Sequence, residues 1–144
     1  MLYAVPSRGW CSLTVSCNDP IRVLVVDDHP VILWGLACLI DGEPRMQVVG
    51  LAACGEDAVR LAREARPDVI LLDIELGDVS GLDLLPELVE AGNARVLVLS
   101  AGQDPEIGEF ALRRGACKQL SKDDSGASIL NAIESVCCED ARQR

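Results

Sequence analysis

The sequence predicts an α/β domain built on one doubly wound parallel sheet. Short and almost uninterrupted runs of apolar residues recur along the chain, and such runs are typical of strands buried on both faces of a parallel sheet. Amphipathic stretches of helical length separate them, so strand and helix alternate five times after Pro20. A chain of 144 residues fits a single domain with its own core.

Each element follows from its local pattern. The predicted strands are the apolar runs, at about 21–27, 46–50, 68–73, 95–100 and 117–120. The predicted helices lie between and after them, at about 30–41, 55–65, 81–91, 104–114 and 124–138. The fifth helix carries its apolar residues at helical spacing on one face, namely Ile129, Leu130, Ile133, Val136 and Cys137.

Proline and glycine mark the helix ends. Pro30 suits the first turn of a helix, where a backbone N–H would have no partner. Glycine is favoured just after a helix, and Gly42, Gly92 and Gly115 follow the first, third and fourth predicted helices. Pro86 falls inside the third helical pattern, which predicts that this helix begins late or bends there.

Right-handed crossovers and short connections leave few ways to arrange five such units. The flavodoxin-like strand order 2-1-3-4-5 is the commonest, and it makes the first and third strands neighbours. In this order, one edge of the sheet collects the polar residues that follow the strands: Asp27, Asp28, Asp73, Ser100 and Lys122. Ligands of open parallel sheets bind at this edge, so we expect the functional site there.

Three carboxylates at one crevice repel one another unless a cation or a lysine compensates their charge. Oxygen ligands favour a hard ion such as Mg²⁺. A carboxylate beside that ion can attack phosphorus and form an aspartyl phosphate, while a lysine and a hydroxyl contact the phosphoryl oxygens. Taken singly, each residue has an ordinary alternative as a turn former, helix cap or surface charge. His29 is interpreted as a loop or cap residue.

The segments Val23–Pro30, Pro67–Asp73 and Val96–Ser100, together with Lys122, resemble the receiver domain of bacterial two-component response regulators. The Asp-Asp-His-Pro sequence is most similar to the NarL/FixJ subfamily. The resemblance covers about 21–138. It leaves residues 1–20 as a loose extension and residues 139–144 as a tail or the start of a linker.

The resemblance implies a role for each residue of the cluster. Asp73 would be the phosphoacceptor, Asp28 a direct Mg²⁺ ligand, Asp27 a water-mediated ligand, the Glu75 backbone carbonyl a further ligand, Ser100 the switch hydroxyl and Lys122 the phosphate-pairing lysine. Asp73 would also contribute to the Mg²⁺ site.

Two departures from the family pattern concern the residues around this cluster. The family usually carries an aromatic residue three positions before its lysine, where this chain has Gln119. The loop after the phosphoacceptor commonly reads Met-Pro-Gly, whereas here it reads Leu76-Gly77-Asp78. The second change removes the φ restriction of proline and adds a charge.

The resemblance implies phosphoryl transfer from a sensor histidine kinase or phosphotransfer domain, a switch in protein contacts, and possible pairing of two receivers. A net charge of −10 argues against direct nucleic-acid binding by this segment, so transcription regulation would need a separate DNA-binding domain. The longest apolar run has ten residues, too short to span a membrane. The seven cysteines show no metal-binding spacing, which favours reduced thiols in the cytoplasm.

Two alternatives to this function stay open on the sequence. A degenerate receiver would act as a phosphorylation-independent interaction module, which Gln119 and the altered loop favour. A Mg²⁺-dependent phosphatase with an aspartyl intermediate is the other, although Glu75 stands where such an enzyme would carry a second aspartate. The active receiver would catalyse only its own phosphorylation and dephosphorylation, without an external substrate to turn over.

The first helix predicts a partner-binding surface. Its core-facing residues are expected to be Ile32, Leu36, Leu39 and Ile40. Leu33, Trp34 and Ala37 would then face water and form an apolar surface. We expect Leu33 and Trp34 to mark a docking surface for a histidine kinase, a phosphotransfer domain or a second receiver.

Overall fold

The computed structural model describes residues 19–77, 79–102 and 104–143, with side chains described as far as position 137. The strands are β1 (Ile21–Val26), β2 (Met46–Ala52), β3 (Val69–Asp73), β4 (Glu75–Leu76), β5 (Val79–Ser80), β6 (Arg95–Ser100) and β7 (Lys118–Ser121). The helices are α1 (Pro30–Asp41), α2 (Gly55–Ala65), α3 (Gly81–Ala91), α4 (Pro105–Arg113) and α5 (Gly126–Gln143). The proposed extension at 1–20 lies almost entirely outside the described residues.

The main sheet has five parallel strands in the order β2-β1-β3-β6-β7. Because β4 and β5 form a separate two-stranded hairpin, this is the order 2-1-3-4-5 of the predicted strands, and the predicted fold class is confirmed. The elements differ from the predicted ones at the hairpin and at the ends of β2 and α5. Strand β2 continues to Ala52, beyond its predicted end at about residue 50. The hairpin lies where the sequence indicated only a loop, and α5 continues to Gln143 through most of the expected tail.

Both faces of the sheet are covered, which explains the continuous apolar runs. Every residue of β3 is buried. Alternate strand residues, such as Leu24 and Ile70, pack with residues of α2, α3 and α4 in one cluster. Their neighbours, such as Val25 and Leu71, pack with residues of α1 and α5 in the other. Burial of a side chain of this size contributes about 1.5–3 kcal/mol.

Helix α3 begins at Gly81 and continues past Pro86. Of the two outcomes expected from this proline, the late start is wrong, and the bend stays a prediction. A proline lacks the N–H that would bond the carbonyl four residues earlier, here that of Leu82. The guanidinium of Arg114 supplies the missing donor, with Nη1 at 3.2 Å from the Leu82 carbonyl oxygen. The same guanidinium lies 4.4 Å from the centre of the Phe110 ring. Arg114 therefore joins α3 to the end of α4.

The exposed face of α1 differs from the expected one. Ala37 is buried, and Leu33 is half-buried against the core, so neither belongs to a free surface. Among the exposed residues of α1 are Val31, Trp34 and Cys38, which follow one another at helical spacing. We call these three residues the α1 stripe. The exposed face was predicted wrongly because α1 is apolar almost all round. In such a helix, the positions of alanine and leucine do not indicate which side packs against the core.

None of the helices within the described part of the chain is long and apolar enough to cross a membrane.

Substitution of Gly81 tests how closely α3 approaches the end of β3. A Cβ atom at Gly81 would lie 2.3 Å from the Asp73 carbonyl oxygen and 2.8 Å from Cα of Ile74. We expect Gly81→Ala to lower the free energy of unfolding by about 1–3 kcal/mol, because backbone atoms must shift. Urea denaturation followed by circular dichroism measures the change.

Gly35→Ala is the matched control. Gly35 lies inside α1, and a Cβ there meets nothing within 4 Å. This change should raise the free energy of unfolding by about 0.5–1 kcal/mol, since alanine is the better helix former. Equal effects of the two substitutions would contradict the close approach at Gly81.

Candidate functional site

Asp73 is the last residue of β3, and its carboxylate is completely buried. Its Oδ1 atom is 2.9 Å from Nζ of Lys122 and accepts a hydrogen bond from the backbone N–H of Glu75 at 3.1 Å. Its Oδ2 atom is buried without a hydrogen-bond partner. One side of this carboxylate is thus held by the protein, while the other is open to a ligand.

Asp27 and Asp28 follow β1, which pairs with β3, and they lie beside Asp73 as the strand order predicts. The Asp27 side chain is fully buried and that of Asp28 is 30% exposed. The Asp27 Oδ2 and Asp28 Oδ1 atoms, like Asp73 Oδ2, are buried and accept no hydrogen bond. Three carboxylates of one cluster therefore each have a buried oxygen without a hydrogen-bond partner.

His29 also belongs to this cluster, which the sequence analysis missed. Its Nδ1 atom lies 3.1 Å from Asp27 Oδ1, 3.1 Å from Asp28 Oδ1 and 3.7 Å from Asp73 Oδ2. The ring nitrogen can point one hydrogen at only one of these oxygens, and the hydrogen bond is to Asp27. His29 is the residue before α1, as expected of a cap, but its side chain does not cap the helix. Its position directly after two aspartates was the available signal.

Burial raises the pKa of the Asp73 carboxyl above its ordinary value, and the negative charge of Asp27 adds to the increase. The hydrogen bonds from Lys122 and from the Glu75 backbone oppose this rise in pKa. An additional cation would favour the ionised form of Asp73. The ligand atoms of Asp27, Asp28, His29 and Asp73 lie within 4.8 Å of one another, and the unpartnered oxygens suit a hard divalent ion such as Mg²⁺.

Ser100 and Lys122 reach the same edge from the next two strands. Leu99 pairs with Asp73 in the sheet, so Ser100 follows directly beyond it. The backbone N–H of Lys122 donates to the Ser100 carbonyl oxygen at 2.8 Å. The buried Ser100 hydroxyl donates to the Gly102 carbonyl and accepts a hydrogen bond from Nε2 of Gln119 at 3.0 Å. All five residues expected at this edge of the sheet are therefore close together.

The β4–β5 hairpin closes the site beside Asp28. Gly77 has a φ of 74°, a left-handed conformation that proline cannot adopt. A Cβ atom at Gly77 would lie 2.7 Å from Asp28 Oδ2. The departure from the Met-Pro-Gly pattern therefore has a structural reason, since this turn requires glycine. The Glu75 side chain is exposed, and the metal-binding role of its carbonyl stays a prediction.

Comparison with known proteins agrees with this geometry. The family profile described as the response regulator receiver domain matches residues 23–134. The nitrate/nitrite response regulator protein NarL of Escherichia coli K12 is 37% identical over 120 residues, which are 83% of this chain and 56% of that protein. The chain thus spans about half the length of this curated relative.

Two solved structures are similar to the whole domain. The signal receiver domain of the putative response regulator NarL from Mycobacterium tuberculosis has a TM-score of 0.77 and 32% identity, covering 82% of this chain and 96% of that one. A response regulator from Burkholderia pseudomallei, solved with a phosphorylated aspartic acid, a calcium ion and citrate, has a TM-score of 0.72 and 30% identity. It covers 85% of this chain and 74% of its own.

A parallel sheet in the order 2-1-3-4-5, an acidic cluster at its carboxyl edge and these sequence matches lead to one conclusion. The chain belongs to the response regulator receiver domain family of two-component signalling, and within that family it is most like the NarL/FixJ subfamily.

Proposed function

We propose that Asp73 accepts a phosphoryl group from a histidine kinase or a phosphotransfer domain in a Mg²⁺-dependent reaction. The observation that carries the proposal is the buried Asp73 carboxylate, held by Lys122 on one oxygen and facing unpartnered oxygens of Asp27 and Asp28 with the other. The related Burkholderia protein was solved with a phosphorylated aspartic acid and a divalent ion, which supports the same chemistry here.

In this reaction an oxygen of Asp73 attacks phosphorus, and the bond from phosphorus to the donor histidine nitrogen breaks. The electron pair of that bond stays on the histidine, which takes up a proton. Asp27, Asp28 and Asp73 would hold Mg²⁺, with the Glu75 carbonyl as a further ligand. The ion would neutralise charge on the phosphoryl oxygens. Lys122 pairs with one of these oxygens, and the Ser100 hydroxyl donates to another.

Phosphorylation would act through protein contacts. The bound phosphoryl group adds negative charge beside β6 and β7, which changes the surface that these strands and α4 present. Regulation of transcription would follow through a DNA-binding domain outside this segment, a proposal supported by the similarity to the transcriptional regulatory protein LiaR of Bacillus subtilis. The domain would occupy about 21–138, act in the cytoplasm and turn over no external substrate. A homodimer of receivers is a further possible form of output.

The α1 stripe is the surface on which the phosphodonor would dock. Val31 and Trp34 are 84% and 64% exposed, and they belong to the first turns of α1, directly after Asp27 and Asp28. A donor histidine must reach Asp73, so its domain has to cover the surface around this edge of the sheet. An apolar stripe at that place suits a protein partner. The docking surface thus keeps Trp34 but replaces Leu33 with Val31.

The interaction-module and phosphatase alternatives are not favoured. A module without phosphorylation has no use for three buried and unpartnered carboxylate oxygens, because each is costly to bury. The lysine that pairs with Asp73 is likewise only 16% exposed. These features support the proposal that the site is phosphorylated.

Phosphorylation of Asp73 can be tested directly. Incubation with acetyl phosphate and Mg²⁺ should add one phosphoryl group, seen by intact-protein mass spectrometry and removed by hydroxylamine. Asp73→Asn should abolish the gain, because an amide is not a nucleophile for phosphorus. Asp83→Asn, at an exposed position of α3, is the matched control and should keep it. A phosphorylated Asp73→Asn variant would show that another residue is the acceptor.

The substitution Gly77→Ala tests whether the β4–β5 hairpin contributes to Mg²⁺ binding. The new Cβ would press on Asp28 Oδ2 and strain the positive φ, so we expect the Mg²⁺ dissociation constant to rise about tenfold. Isothermal titration calorimetry with MgCl₂ measures this change. Gly35→Ala is the control and should bind Mg²⁺ like the wild type. An unchanged Mg²⁺ dissociation constant for Gly77→Ala would show that the hairpin does not contribute to the ion site.

The docking surface can be tested with the double variant Val31→Ser/Trp34→Ala, which keeps the net charge. Affinity for the cognate phosphotransfer or kinase domain should fall at least tenfold, since buried tryptophans dominate such interfaces. Phosphorylation by acetyl phosphate should be unaffected. Leu112→Ser, at an exposed apolar position of α4, is the control. Undiminished partner binding by the double variant would place the docking surface elsewhere.

A further inference from the structure

Gln119 stands where the family usually carries an aromatic residue, and its contacts give it a different task. Its carboxamide Nε2 donates to the Ser100 hydroxyl at 3.0 Å. Its Oε1 atom packs closely against Gly108 of α4. A Cβ atom added at position 108 would lie only 2.2 Å from this oxygen. The side chain is therefore half-buried, with its carboxamide between the switch hydroxyl and a helix that leaves room for it.

The hydroxyl of Ser100 has one hydrogen to donate and two lone pairs that accept. In this structure the hydrogen goes to the Gly102 carbonyl, and one lone pair takes the N–H of Gln119. Because the amide group of Gln119 is the donor in their bond, the hydroxyl hydrogen remains available to an acceptor. A phosphoryl group on Asp73 offers only acceptor oxygens, so it needs this hydrogen.

We propose that Gln119 is a positioning residue that keeps the Ser100 hydroxyl as a donor for the phosphoryl group. On phosphorylation the hydroxyl hydrogen leaves the Gly102 carbonyl for a phosphoryl oxygen, while the bond from Gln119 holds the hydroxyl oxygen in place. The signal then passes to the segment before α4 through the released Gly102 carbonyl, without rotation of a ring. This inference rests on the proposed phosphorylation of Asp73.

Gly108 is part of the same arrangement. A side chain at position 108 would occupy the space of the carboxamide and push Gln119 away from Ser100. Gln119 and Ser100 belong to neighbouring strands, and Gln119 pairs with Val98 in the sheet. The hydroxyl, the carboxamide and the helix backbone are thus fixed by three separate elements.

The test uses beryllofluoride with Mg²⁺, a phosphoryl analogue whose beryllium is coordinated reversibly by a carboxylate oxygen. Gln119→Glu replaces the amide donor with a carboxylate acceptor, which draws the hydroxyl hydrogen toward itself at pH 7.5. We expect its affinity for beryllofluoride to fall about tenfold. Gln119→Met removes the donor without adding charge and should lower the affinity about threefold. Both variants should bind Mg²⁺ alone like the wild type, and calorimetry measures both ligands.

A double-mutant cycle separates positioning from a merely structural or electrostatic role. In a Ser100→Ala background neither Gln119 substitution should change beryllofluoride affinity further, because the hydroxyl through which Gln119 acts is gone. If the Gln119 substitutions still lowered beryllofluoride affinity in the Ser100→Ala background, the inference would be overturned. It would also be overturned if Gln119→Glu alone bound beryllofluoride with wild-type affinity. If the wild type bound no beryllofluoride with Mg²⁺, the proposed function would itself fail, which is a different result.

Discussion

The structure depends on holding three carboxylates together at one edge of a sheet against their mutual repulsion. Asp27 and Asp73 are fully buried, so their charges are screened little by water. Lys122 compensates part of this charge through Asp73, and the unpartnered oxygens of all three aspartates mark the place where a divalent ion would compensate the rest. Burial of these charged groups is costly, and a bound cation would offset part of the cost that Lys122 leaves uncompensated.

The sheet brings these groups together because its strands are buried on both faces and their order is fixed by the crossovers. For this reason the fold class, the strand order and the convergence of Asp27, Asp28, Asp73, Ser100 and Lys122 could be predicted from the sequence. Continuous apolar runs leave little choice of architecture. Every strand of the main sheet except β2 ends in a polar residue or is followed by one, and the position of that residue along the chain then sets its position in space.

The features that could not be predicted from the sequence are of two kinds. Some depend on contacts between distant elements, and others involve segments too short to show a periodic pattern of apolar residues. The β4–β5 hairpin has two-residue strands, and its positive φ at Gly77 shows only in the structure. Ala37 is buried beside Leu36 although its small size gives no sign of facing the core. Arg114 completes the hydrogen bonding of α3 from another helix. Local sequence patterns contain none of this information.

With Gln119 in place of the usual aromatic residue, the free energy that favours the switched state would have a different source. A ring that moves from solvent into a pocket gains about 1.5–3 kcal/mol from burial. A hydroxyl that exchanges one neutral acceptor for another gains almost nothing, since each such bond contributes about 1 kcal/mol. Bonds to a charged acceptor are roughly twice as strong, so the proposed transfer of the Ser100 hydrogen bond from the Gly102 carbonyl to a phosphoryl oxygen would have to draw on the phosphoryl charge. Under the proposed mechanism, the phosphoryl charge on Asp73 would have to drive alone a change that apolar burial of a ring would otherwise assist.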